Sequence, residues 1–233
     1  MNRTEEIVSF LSDLDKNNDR AWFGQNKERY LRVQNEFYSL VDELILGISQ
    51  FDPTIQNLCA KDCTYRIYRD IRFSKDKSPY KIHMGAYICR GGKKSGYSGY
   101  YFHVGTGLGN EYPHSHMLAI GDYMCDPRVL KVLREDICYD GGEFQDIINR
   151  AKEADLMLDE DNSLRRVPSG FAADSPFERY LRLRNFCLYC KPDNKFMMNK
   201  NVVANTLDIF RSAKPFLDYV NRAIEYVNDA YQN

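Results

Sequence analysis

"TYRIYRDIRFSKDKSPYKIHMGAYIC", Thr64 to Cys89, is the stretch whose reading decides the fold. Before it, apolar residues recur every three or four positions; within it they alternate, and a period of two is that of a strand with one buried face. Strand-like runs are "TYRIYRDIRF", "IHMGAYIC", "GYYFHVG" and "MLAIGDYM", and the connections "SKDKSPY", "RGGKKSG" and "GTGLGNEYPHSH" carry the Gly, Pro, Ser and Lys of turns. Connections this short favour an antiparallel meander.

Helical signals lie on both sides. Ile7, Phe10, Leu11 and Leu14 follow Thr4, a residue suited to cap a helix. A second helix is expected from Asp19 to Ile48, stopped by Asp52-Pro53 because Pro lacks the N–H a helix needs. Beyond the strands come "DPRVLKVLREDI", "EFQDIINRAKEA" and "SPFERYLRLRNF", the last with Ser175 as cap, Pro176 in the first turn and Glu178 three residues after the cap. The tail from Lys200 to Asn228 reads as helix interrupted at Pro215. Helices, strands, then helices is the order of an α+β chain. The expectation is one domain over residues 1–233, a mainly antiparallel sheet with helices from both termini on one face.

With 43% hydrophobic and 28% charged residues, the chain has the composition of a globular protein with a substantial core. Its formal net charge is −1, so attraction to an anionic partner has to come from a local patch. "MNRTEEIVSFLSDLD" lacks the apolar run of a signal peptide, and no segment is apolar for the ~18 residues of a membrane span. No membrane contact, a cytoplasmic location and reduced thiols on all seven cysteines are therefore expected.

The basic patch is in the opening stretch. If Tyr65–Phe73 is one regular strand, Arg66, Tyr68, Asp70 and Arg72 share one face, and Arg69 lies on the other with Tyr65, Ile67, Ile71 and Phe73. Alternation in the next strands adds His83 and Tyr87, then Tyr101 and His103, to a polar face. Arg66, Arg69 and Arg72 suit a phosphate or carboxylate because a guanidinium holds two oxygens at once, while Lys75, Lys77 and Lys81 add point charge. Asp70 orients an arginine or competes with the anion. The structural alternative is that Arg69, Arg72, Asp70 and Asp76 pair with one another and pin the turn before Pro79, leaving Lys75 and Lys77 solvated.

"NNDRAWFGQNKERY", "RIYRDIRFSKDKSPYKIHMGAYI", "GYYFHVG" and "LRRVPSGF" resemble, in that order, the DUF2461 family of uncharacterised proteins, and the likeness runs from Phe10 to about Val220. The resemblance implies a single shared domain; it brings no activity, cofactor or catalytic residue. In the family pattern a Lys often stands at the position of Ser169 and a His at that of Ser175.

Other motifs read more blandly. "CLYC", Cys187–Cys190, has the spacing of a zinc pair, but Cys59 and Cys63 are over 120 residues away, so Cys187 is expected to end an apolar helix face with Cys190 in the next loop. His114 and His116 are expected to be surface residues rather than metal ligands. "GTGLGN" lacks the spacing of a dinucleotide loop. No metal and no cofactor is expected. Arg165, Arg166, Arg179, Arg182 and Arg184 either enlarge the patch or are solvated. The functional expectation is binding, with possible turnover, of an anionic small molecule at the Arg/Asp/His/Tyr cluster, with His83 or His103 as general acid or base because histidine titrates near neutrality. The alternatives are a nucleic-acid module on the same patch, where aromatics interleave with cations, or a protein without catalysis in which the motif only pins the fold.

Overall fold

The computed structural model describes residues 2–231. The chain is α+β, a five-stranded antiparallel sheet with helices at both ends of the chain. Helices α1 (Arg3–Lys16), α2 (Arg20–Gln25), α3 (Lys27–Ile48) and α4 (Ala60–Cys63) precede strands β1 (Met84–Cys89), β2 (Gly99–Val104) and β3 (Met117–Asp122). Then follow α5 (Pro127–Glu153), β4 (Met157–Leu158), α6 (Glu178–Leu181), β5 (Phe186–Cys190), α7 (Asn194–Met197), α8 (Val202–Ser212) and α9 (Lys214–Tyr231). The strand order is β1-β2-β3-β5-β4. No helix among the described residues is long and apolar enough to cross a membrane.

Several expectations shift. Asn2, not Thr4, caps α1, its side chain accepting from Glu5 N–H while the Glu5 carboxylate accepts from Asn2 N–H. The helix expected over 19–48 is two, divided at Asn26; Asp19 caps the first by accepting from Ala21 and Trp22 N–H. The two helices expected after Asp126 are both present, as the two segments of α5 that meet at a kink where Asp140 is non-helical (φ −141°, ψ 72°). The expected break in the tail falls at Ala213, and Pro215 sits in the first turn of α9, where its missing N–H costs nothing. "SPFERYLRLRNF" yields only a single helical turn, which begins after Phe177 with no side-chain cap, and Ser175 Oγ accepts from Phe177 N–H instead. Cys187 and Cys190 lie in β5, not at a helix end and a loop; β5 is buried through Phe186, Cys187 and Leu188 and so shows no alternation to read.

The largest correction concerns "TYRIYRDIRF", which is no strand. It makes isolated antiparallel bridges, Thr64 with Ala86 and Tyr68 with Tyr80. Between them Lys81 N–H donates to Ile67 O at 2.7 Å and Tyr65 N–H to Gly85 O at 3.2 Å. Ile82, His83 and Met84 therefore oppose Arg66 alone, a bulge that breaks the ladder and re-aims the side chains on it.

Packing groups the chain into two compact units. One takes in the N-terminal part to Ser95, Tyr101–Leu118 and Lys191–Asp208; the other takes in Gly96–Tyr100, Ala119–Cys190 and the part from Ile209 on. In the first, α1 and α3 pack through Ile7, Phe10, Leu11, Val33 and Leu40, all at most 1% exposed, and each such side chain contributes roughly 1.5–3 kcal/mol of transfer free energy. Phe37 of α3 stacks on Phe102 of β2, ring centroids 6.1 Å apart. In the second, Phe144 of α5 is the hub of an aromatic cluster with Tyr180, Phe186, Phe216 and Tyr219.

Candidate functional site

The same bulge that destroys the expected strand builds a site in the first unit. Asn18 clamps Tyr80 from both sides: its amide donates to Tyr80 O at 3.0 Å and its oxygen accepts from Tyr80 N–H at 3.1 Å. The Tyr80 ring stacks on Phe23 at 3.9 Å. Chain direction is thus set just before Lys81 and His83.

His83 stacks on His103 of β2, with ring centroids 4.6 Å apart and planes 22° from parallel. His103 Nε2 lies 3.3 Å from Pro113 O and its Nδ1 lies 3.0 Å from the Tyr101 hydroxyl. A carbonyl only accepts, so Nε2 carries the proton and Nδ1 accepts from Tyr101. Tyr112, on the loop between β2 and β3, packs against both imidazoles, and its hydroxyl is 3.4 Å from His83 Nε2. The other ring nitrogen, His83 Nδ1, is buried with no hydrogen-bond partner among the described residues.

Gly85 makes room for this arrangement. A Cβ there would meet the Tyr101 hydroxyl at 2.7 Å and the ring at 3.1 and 3.2 Å. Gly85→Val is expected to destabilise by about 1–3 kcal/mol through overpacking and to break the Tyr101–His103 hydrogen bond. A histidine side-chain ¹⁵N spectrum unchanged from wild type would show that the contact is relieved elsewhere.

The loop bearing Tyr112 is tied down behind the site. His116, 2% exposed, accepts at Nδ1 from Gly105 N–H and donates from Nε2 to Asn194 Oδ1 at 2.8 Å. Asn194 in turn donates to Gly107 O, and Gly107 has φ +68° with no space for a Cβ against Asn194. His114 faces Thr106 Oγ1 at 3.2 Å and Asp15 at 3.6 Å. His116 is thus a buried structural residue, not the surface histidine expected, and among the described residues no group of three or more metal-ligating side chains forms.

Both stacked histidines are held neutral. Burial pushes His83 down to about 3, helped by repulsion from His103, Lys81 and Arg69. Burial likewise pushes His103 down to about 4, opposed by the Pro113 carbonyl. The premise that they titrate near neutrality does not survive folding; at pH 7 they are neutral imidazoles, each with one donor and one acceptor nitrogen. Burial lifts the Tyr101 and Tyr112 phenols.

The cations separate into distinct groups. Arg69 is tied to Asp76 and donates to Ser78 O and Ser74 Oγ. Asp76 is held down to about 2, first by the Ser78 hydroxyl and N–H and then by Arg69. Arg72 closes a two-pronged pair on Asp70 at 3.0 and 2.7 Å, out in solvent. Lys77 donates to Ile71 O and Lys75 is exposed. Lys81 is half-buried, its pKa lowered by burial and by Arg66, and its Nζ sits 5.5 Å from the Tyr65 ring centroid. Among the described residues neither Lys81 nor Arg66 has a carboxylate within ion-pair distance.

Of the polar face expected from alternation, His83, Tyr101 and His103 meet; Arg66, Asp70 and Arg72 lie on an irregular segment instead. Tyr87 is half-buried on the Gly85 side of β1. Tyr112 went unread because loop residues have no periodicity to place them. Arg179 pairs with Glu160 and Arg182 with Glu178, which accounts for them locally.

No curated protein matches this chain, and no solved structure does. The family model described as "Conserved hypothetical protein (DUF2461)" matches residues 6–219. The chain therefore belongs to the DUF2461 family, as its motifs led one to expect.

Proposed function

We propose that the bulge around His83 binds a small anionic molecule bearing a phosphate or carboxylate. The observation that carries this reading is Lys81: a half-buried ammonium beside a second cation, Arg66, with no counter-ion from the described chain. An unpaired, partly desolvated charge is costly, and an anion relieves that cost. His83 and Tyr112 border the same bulge and supply neutral hydrogen-bonding groups. Arg69 contributes positive potential while remaining fixed by Asp76. Arg72, Asp70, Lys75 and Lys77 take no part in this reading, and a cytoplasmic location is part of it.

Should the bound molecule also be turned over, His83 is better placed than His103 to handle a proton. The hydrogen bonds of His103 are already used by Tyr101 and Pro113. An anion beside His83 offsets the repulsion from Lys81 and Arg69, raising its pKa in the complex. Binding then takes up a proton and strengthens as pH falls.

A thermal-shift screen of phosphate- and carboxylate-bearing metabolites tests the site. A ligand at a hundred times its Kd stabilises by about 2.7 kcal/mol, and that shift is expected in wild type and in Arg72→Ala but lost in Lys81→Met. Equal shifts in wild type and Lys81→Met, or none with any compound, would overturn the assignment.

A further inference from the structure

The segment after Tyr65 presents a second surface that the small-molecule site does not use. Phe73 is 95% exposed, a large apolar ring in water with the Arg72 guanidinium 5.8 Å from its centroid. Tyr68, 49% exposed, is held from beneath by Tyr80 at 5.4 Å and Phe23 at 6.1 Å, so it is a ring of fixed orientation with one side open. Around them, Tyr65–Tyr80 carries five cations against two aspartates in a chain of net charge −1. Asp70 occupies Nε and Nη2 of Arg72, which leaves Nη1 and the guanidinium face. Lys75 is exposed and has no ion pair among the described residues.

From this surface we infer that the chain binds single-stranded nucleic acid, with Phe73 and Tyr68 as stacking platforms and Arg72 and Lys75 on the phosphates. Stacking on exposed aromatics beside a cationic track is how strands are held without sequence preference, since every base has a π-face. Opposite charge draws the strand to this one segment although the whole molecule is slightly acidic. A lipid surface is the less suitable partner: three of the four aromatics along the segment are tyrosines, and Asp70 and Asp76 would meet anionic headgroups. The inference is independent of the His83 site, because it uses neither Lys81 nor the histidines.

The test is fluorescence anisotropy with a labelled oligothymidylate, using wild type, Phe73→Ala, Arg72→Ala and Lys81→Met, with phosphatidylserine vesicles as a parallel probe. Wild type is expected to bind at low salt and to weaken steeply as salt rises, because released counter-ions drive phosphate binding. Phe73→Ala is expected to weaken binding on the order of ten-fold or more and Arg72→Ala to reduce the salt slope, while Lys81→Met binds like wild type. Since Phe73 is nearly fully exposed, its truncation leaves folding intact. Absent oligonucleotide binding, binding indifferent to Phe73, or Phe73-dependent binding to vesicles alone would each overturn the inference.

Discussion

Between about pH 7 and about pH 5 the protein is expected to lose on the order of 4 kcal/mol of unfolding free energy to the His83–His103 stack. In the unfolded chain both imidazoles titrate at the ordinary value of 6.5; in the folded chain they wait until about 3 and about 4. As pH falls through 6.5 the unfolded state takes up protons that the folded state refuses, so stability is complete above that value. It drains away down to the folded pKa values. Carboxylates held low, such as Asp76 and Asp126, take up protons only below their ordinary range, outside this window. Urea unfolding at the two pH values isolates the histidines. His83→Gln should remove roughly half of the stack's share of the slope, with His116, also pushed down by burial, adding to the remainder; a stability equal at both values would mean that the stacked pair titrates normally.

Phe144→Ala is expected to cost about 3–5 kcal/mol. Phe144 is 0% exposed and touches four aromatic rings at centroid distances of 4.9 to 6.0 Å. Truncation removes the transfer free energy of a benzyl group and leaves a cavity that rigid rings cannot collapse to fill. Tyr139, on the same helix and 95% exposed, is the control: its replacement by Ala should stay within about 0.5 kcal/mol. A Phe144→Ala loss below about 1 kcal/mol in denaturant titrations would show that the cluster repacks.

The amphipathic helices and the strands β1, β2 and β3 could be read because each rests on local period. Strand β5 could not, since a strand buried on both sides and a short helix face both read as an apolar run. Asn18 has no period to place it, and only contact with Tyr80, far along the chain, gave its amide a partner.

The amino-acid sequence by itself determined that helices flank a run of strands, which residues are apolar enough for the core, and that its cations concentrate between Tyr65 and Lys81. Only the tertiary structure decided what those cations do. Three residues facing one across the bulge put His83 against His103, burial there took both histidines out of the neutral range, and Asp70 and Asp76 claimed Arg72 and Arg69. The physical reason is one of range. Period and charge are properties of neighbouring residues, whereas desolvation and register depend on what a distant segment brings alongside.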